Sequence, residues 1–389
     1  MSTERLYYAD CYTSEFEARI VDSADVGRRV YLDRTAFYPT SGGQPNDLGT
    51  LGNQPVVDVI EDNDRIAHIL AAPLTEESVR GAVDWSRRYD HMQQHTGQHL
   101  LSAVFVEFLD IPTLSFHLGA GVSTIELETK DLREAQIDAV EERANRIVAE
   151  ARPVNIVFEH ADAAENLRKP SARTGVLRIV EIEGLDRSAC GGTHVRSTAE
   201  VGPIQMRKSE KVRNHLRIEF VCGLRALRRT KQDFRVLTGL ARELSAPADG
   251  LPEHVASLRQ RLLDTEKDRH KMALELARRD GEALYQATPL SGGMRRALLH
   301  VPVIDDLVRA KAQAFTAGRN ALLLAFAADP PGVLLATSAD SGVNAGTVMK
   351  QVLSQTGARG GGSSTLAQGS VSNPATEHAL AAELGFSAS

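Results

Sequence analysis

Three histidines at steps of four, His91, His95 and His99, lie in one stretch: Arg88-Tyr89-Asp90-His91-Met92-Gln93-Gln94-His95-Thr96-Gly97-Gln98-His99-Leu100-Leu101. No proline interrupts it, and apolar residues continue through Phe108. The spacing predicts a helix that runs to about Leu109 and stops before Ile111-Pro112. Residues four apart on a helix stand one turn above the other on one face, so two of these imidazoles can share a metal ion. Far downstream, Cys190-Gly191-Gly192-Thr193-His194 repeats the three-residue gap with a thiol and an imidazole. Together the two segments offer a mixed nitrogen and sulfur set that suits Zn2+, which takes about four ligands in a tetrahedron. Spacing alone leaves open whether His91/His95 or His95/His99 is the helical pair. A pair of histidines on a helix also fits a plain solvated face.

His95-Thr96-Gly97-Gln98-His99-Leu100-Leu101 together with Cys190-Gly191-Gly192-Thr193-His194 resembles the editing domain of alanyl-tRNA synthetase and its free-standing relatives, the AlaX proteins. Both are similar to the second domain of threonyl-tRNA synthetase. Upstream, Leu32-Asp33-Arg34-Thr35-Ala36-Phe37-Tyr38-Pro39-Thr40-Ser41-Gly42-Gly43-Gln44-Pro45-Asn46-Asp47 looks like the glycine motif of the same family. Leu216-Arg217-Ile218-Glu219-Phe220-Val221-Cys222-Gly223 resembles the end of the synthetase editing domain. The resemblance implies His95, His99, Cys190 and His194 as zinc ligands and leaves His91 outside the set. It implies a substrate-binding group of Thr40, Gly42, Gly43, Gln44, Ser115 and His117, with the glycine hairpin beside the metal. It also implies the activity: hydrolysis of the ester on mischarged alanine tRNA, the seryl form ahead of the glycyl form. The Thr40 hydroxyl is then a candidate to recognise the serine hydroxyl.

Composition is that of ordinary soluble globular protein, 42% hydrophobic and 25% charged over 389 residues, enough chain for two to four domains. The longest apolar runs, such as 321–327, are too short to span a bilayer, and the first residues show no signal-peptide pattern. The chain is therefore expected to have no membrane partner and to be cytoplasmic. Three cysteines far apart argue against a disulfide framework, and a reduced setting suits a thiolate ligand. Cys11 and Cys222 read as small buried apolar residues. A net charge of −6 argues mildly against nucleic acid, yet ten basic residues crowd positions 205–235, against Glu210, Glu219 and Asp233. That stretch is either an RNA footprint or a solvated face. Arg207, Lys208, Arg217 and Arg225 are its expected tRNA contacts, with Arg359 added from a glycine-rich segment near the C-terminus.

The expected fold class is α+β and multidomain. Residues 1–87 alternate in short runs (18–21, 29–32, 55–60, 65–70) between turn residues and predict a small β-barrel carrying the glycine motif. Residues 88–235 mix helix and strand and form the zinc-binding editing domain. Within it, Ser115 and His117 alternate onto one strand face. Asp131-Leu132-Arg133-Glu134 reads as a capping box, and strands are expected at 122–127, 155–158, 176–182, 204–207 and 216–221. Residues 236–290 predict a helical linker with a long arm at 251–287. Residues 291–389 predict a smaller α/β unit. Its Gly357-Ala358-Arg359-Gly360-Gly361-Gly362 loop lacks the Lys-Ser/Thr of a P-loop. The unit resembles the DHH-associated domain of alanyl-tRNA synthetase, which implies tRNA binding and a possible homodimer.

Other chemistries fit less well. Thr96, not Glu, follows His95, so the His-Glu-x-x-His pattern of metalloproteases is missing, and no Asp-His-His triplet supports a phosphodiesterase. The resemblance begins at the editing domain, with no room before it for an aminoacylation core. A free-standing deacylase is the expectation. A non-catalytic tRNA-binding module with a structural zinc is the alternative.

Overall fold

The computed structural model describes residues 2–355, 358–371 and 374–386, so Gly357 of the expected glycine-rich loop lies outside the described residues. The chain is mixed α+β and divides into two compact units, Met1–Leu240 and Ala241–Ser389.

Six strands of the first unit close a barrel in the order Glu15–Ala24, Arg29–Leu32, Arg65–Leu70, Gln54–Asp62, Gly49–Leu51, Ser78–Val83. Every pairing is antiparallel, and the first strand meets the last through Phe16 opposite Gly81. Alternate residues point inward, so Phe16, Val30, Leu32, Leu51, Val59 and Ile66 fill the interior. The four expected strands are present. Gly49–Leu51 and Ser78–Val83 were not legible in advance: one is three residues long, and the other carries Gly81 at its middle.

His68 lies inside this barrel, fully buried. Its Nδ1–H donates to the Val30 carbonyl at 3.3 Å, and its Nε2 accepts from the Thr35 hydroxyl at 2.8 Å. Burial pushes its pKa down to about 4. The folded value is below the unfolded one, so the stabilisation is complete above about pH 6.5 and is lost as pH falls through about 4. The expected loss is about 3 kcal/mol across that window. The acid limb of the unfolding free energy, followed by denaturant titration at several pH values, should flatten by that amount in His68→Gln.

The histidine helix spans Trp85–Leu109 and opens where Asp84 accepts from the Arg87 amide, three residues ahead of the expected start. Every residue from His91 to Phe105 is buried, so no solvated face exists there. One stretch of it, with Leu100, Leu101, Val104 and Phe105, joins the main core. Most of its buried polar side chains find partners, although His91 Nδ1, Gln93 Oε1 and Gln98 Oε1 have none among the described residues. The Gln94 side chain bonds both the amide and the carbonyl of Cys222, at 2.9 and 3.0 Å. Gln93 donates to the Glu200 carbonyl at 2.8 Å. At the helix start, Arg88 has no exposed surface. It holds Asp47 through Nε at 3.0 Å and donates to the carbonyls of Cys11, at 2.9 Å, and Ala36. Asp47 also accepts from the Tyr38 amide at 2.7 Å, so this ion pair fastens the glycine motif to the helix.

An antiparallel four-stranded sheet, in the order Ile204–Val212, His215–Cys222, Ser123–Leu127, Thr113–Leu118, surrounds the helix together with a three-stranded sheet. The latter runs Val154–His160, Val176–Ile182, Asp186–Ala189. The helix Glu134–Ala149 corrects the expected capping box: Gln136, not Glu134, returns to accept the Arg133 amide at 3.1 Å. Asp131 instead bonds the Leu132 amide and Lys211.

In the second unit, helix Leu251–Ala287 is continuous and leaves Val255, Leu258, Leu262, Met272 and Leu276 exposed. A six-stranded sheet follows, antiparallel except where Met294–Val301 runs parallel to Ala321–Ala328 across the helix Asp306–Thr316. Gly360–Gly362 is not a loop but an edge strand paired with Leu366–Ser370. Among the described residues, no helix is long and apolar enough to cross a membrane.

Candidate metal centre

The strand Asp186–Ala189 folds back along Val176–Ile182 and delivers Cys190 beside the middle of the histidine helix. The strand Asp186–Ala189 is an element not anticipated from the sequence. One donor atom each from His95, His99, Cys190 and His194 lies within 4.8 Å of all the others. Cys190 Sγ is 3.4 Å from Nε2 of both His95 and His194. Bond lengths of about 2.3 Å to sulfur and 2.0–2.1 Å to nitrogen, at a tetrahedral angle, require a donor separation of about 3.5 Å. The two sulfur–nitrogen separations thus match a shared ion, and the whole group closes to within 4.8 Å.

Each imidazole is held by its other nitrogen. His95 Nδ1 donates to Gln44 Oε1 at 2.8 Å, and His99 Nδ1 donates to Asp186 at 2.9 Å. His194 Nδ1 bonds the Thr96 hydroxyl at 3.1 Å. These partners fix the ring orientations and turn all three Nε2 atoms inward, as supporting groups do in metal sites. Burial alone would raise the Cys190 thiol, but the facing His95 and His194 rings hold it well below its ordinary range. Burial, with His95 next, pushes His194 down to about 3. His99 rises to about 9: burial opposes the rise, but the Asp186 hydrogen bond outweighs it. A thiol held toward its thiolate form and facing three imidazoles is a donor set for a cation. His91 is absent from the group: it is buried, pushed down to about 4 by burial, and its Nδ1 has no partner among the described residues.

A cavity of about 790 Å3 opens against this cluster. Of the six residues expected to bind substrate, Gly42 and Ser115 line it. Gly43 sits just behind: at φ +83°, an added Cβ would stand 2.9 Å from the Phe116 ring, so only glycine lets the hairpin press on that strand. Gln44 is fully buried outside the cavity. It accepts from the Thr193 amide at 3.1 Å and donates to the Thr193 hydroxyl at 2.9 Å, tying the hairpin to the Cys190 loop. Gly192 completes that contact, since a Cβ there would come within 2.1 Å of the His95 ring. Thr40 and His117 do not line the cavity. The Thr40 hydroxyl accepts from the Asn46 amide at 3.1 Å, and His117 lies opposite Thr124 in the sheet.

The four basic residues expected to contact tRNA are each paired with a carboxylate, while Arg213, Arg228, Lys231 and Arg235 of the same stretch make no ion pair among the described residues. Arg207 pairs with Asp233, Lys208 with Glu210, Arg217 with Glu126 and Arg225 with Asp90. None of these cations borders the cavity, and Arg359, in the second unit, is exposed. Asp186 and the cavity-lining Arg168, Lys169 and Arg173 had not been singled out as site residues. The Arg168-Lys169-Pro170-Ser171-Ala172-Arg173 run was a visible charge signal, but nothing in its order tells that it returns to the histidine helix.

Residues 177–219 match the family model for the threonyl and alanyl tRNA synthetase second additional domain. Alanyl-tRNA editing protein AlaX-L of Pyrococcus horikoshii is 34% identical, over 95% of this chain and 94% of its own length. Alanyl-tRNA editing protein Aarsd1 of Danio rerio is 32% identical over 69% of each. Alanine–tRNA ligase of Pyrococcus abyssi is 34% identical over 71% of this chain but only 32% of the ligase. With likeness to AlaX-L running almost end to end in both chains, and with both the histidine helix and the Cys190 loop inside it, this chain belongs to the alanyl-tRNA editing protein family.

Proposed function

We propose that this chain is a free-standing deacylase that hydrolyses the ester on mischarged alanine tRNA without itself charging tRNA. The observation that carries the reading is the convergence of His95, His99, Cys190 and His194 on one point at the wall of a cavity, in a chain of this family. The seryl ester is proposed ahead of the glycyl ester, since hydroxyls of Ser115 and Thr113 on the cavity wall favour a polar side chain. Zinc is the proposed metal, on the mixed thiolate and imidazole donors and their spacing. Once bound, it would supply Lewis acidity to the ester carbonyl or to water. The protein's own part is positioning. Gln44, Thr96 and Asp186 lock the three rings. Glu61, the one carboxylate on the cavity wall among the described residues, is engaged by Arg5 at 2.6 Å. Substrate-binding roles are proposed for Gly42 and Ser115 directly, for Gly43 and Gln44 through the packing they secure, and for Thr40 and His117 at the margin.

Residues 1–87 and 88–235 are proposed as barrel and deacylase parts, 236–290 as a helical linker, and 291–389 as a DHH-associated-like part for tRNA binding and subunit pairing. The test is direct. Serine-charged alanine tRNA should release serine with the full chain, stop after chelation, and resume when zinc is restored. Release that is indifferent to chelation would leave the zinc without a catalytic part, and no release at all would leave only a tRNA-binding module.

A further inference from the structure

Four cations of Lys and Arg type line the cavity: Arg5, Arg168, Lys169 and Arg173. Arg5 is committed to Glu61, at 2.6 Å, and Arg168 to Asp186, at 2.7 Å. Lys169 and Arg173 are exposed and, among the described residues, make no ion pair or side-chain hydrogen bond. The wall that faces the Cys190 cluster thus carries two uncommitted positive charges, both on one short segment. We propose that residues 169–173 form the clamp for the phosphodiester on the 5′ side of the terminal nucleoside of the acceptor strand. The inference rests on the deacylase reading above and names what grips its substrate.

The chemistry follows from connectivity. An aminoacyl ester held at the cluster places the terminal nucleoside in the cavity. The nearest anion covalently joined to that nucleoside is its 5′ phosphodiester, which lysine and arginine recognise without reading sequence. The root of the segment is anchored where it matters. The Arg168 amide donates to the Arg187 carbonyl at 2.8 Å, and its guanidinium donates to Ser188 at 3.1 Å as well as to Asp186. The other oxygen of Asp186 accepts from His99 at 2.9 Å. One carboxylate therefore fixes both a metal-side imidazole and the base of the clamp, setting the separation between ester and phosphate grips. Beyond the root, Pro170 restricts the backbone, and the Ser171 hydroxyl accepts the Arg173 amide at 3.2 Å, turning the chain. The basic residues expected to contact tRNA at 207, 208, 217 and 225 are ion-paired and lie off the cavity, whereas Lys169 and Arg173 stand on its wall.

Two esters separate the phosphate contact from the rest of the site: seryl-adenosine, which has no 5′ phosphate, and the same ester on the dinucleotide cytidylyl-adenosine. The full-length double variant Lys169→Ala/Arg173→Ala should lose roughly 10- to 100-fold in kcat/KM on the dinucleotide, mostly through KM. It should stay within about two-fold of wild type on the nucleoside ester, where no such bond forms. Lys169→Arg/Arg173→Lys should restore most of the dinucleotide rate, and the salt dependence of the dinucleotide reaction should weaken in the alanine variant. Equal losses on both esters, or none on the dinucleotide, would overturn the clamp while leaving the deacylase reading intact. A wild-type protein that hydrolyses neither ester nor seryl-tRNA would remove that reading, and the clamp with it.

Discussion

Cys190→Ala should lower serine release from seryl-tRNA by at least about 100-fold, and the protein should no longer hold the proposed zinc while staying folded. The expectation of a fold retained comes from the supports around the cluster. His95, His99 and His194 each keep a hydrogen bond to Gln44, Asp186 or Thr96 that does not pass through the thiol. Disturbing only a supporting partner of a metal ligand commonly costs 10- to 100-fold in metal affinity or activity, so removal of the ligand itself sets that range as a floor. Asp186→Asn tests the weaker effect, with an expected loss of about 10- to 100-fold. Metal content by elemental analysis and serine release from the same preparations check both. If Cys190→Ala instead unfolds the first unit, with the signal of Trp85 lost, the metal is a structural brace, and the tRNA-binding alternative gains. If the variant retains release within ten-fold of wild type, the thiolate has no part in the reaction.

The largest loss of stability is expected at the joint between barrel and helix. Arg88→Met should destabilise the first unit by about 3–5 kcal/mol, because it strands the Asp47 carboxylate where neither residue has any exposed side-chain surface. Carbonyls of Cys11 and Ala36 lose donors in the same step. The double variant Arg88→Met/Asp47→Leu should recover much of the loss, since replacing a whole buried ion pair by apolar groups is often close to neutral. Denaturant unfolding monitored by Trp85, the sole tryptophan, which sits at the start of the same helix, reads the effect. Asp47 also accepts from the Tyr38 amide, so the single variant should loosen the glycine hairpin and slow deacylation. Arg88→Met stability within about 1 kcal/mol of wild type would show that the carboxylate finds other partners.

Much of the site was legible from local order alone. His95/His99 and Cys190/His194 are pairs whose three-residue gaps put two donors on one helical face or one glycine turn, and that geometry belongs to the backbone whatever surrounds it. The barrel strands with clear alternation were legible for the same reason, whereas Gly49–Leu51 has too few residues to show a period. The choice between His91 and His99 was not a local matter. Both are one turn from His95, and only the position of the returning Cys190 loop separates them.

What the sequence by itself determined, then, is the list of donors, the period of the elements that carry them, and the family to which they belong. Tertiary structure alone decided that Gln44 supports His95 rather than lining the cavity, and that Arg207, Lys208, Arg217 and Arg225 are each paired with a carboxylate. It also decided that Lys169 and Arg173 reach the cavity wall. The physical reason is range: periodicity and turn chemistry act over a few residues. A hydrogen bond or ion pair is set by distances between segments as many as 188 positions apart, as Tyr12 and Glu200 are.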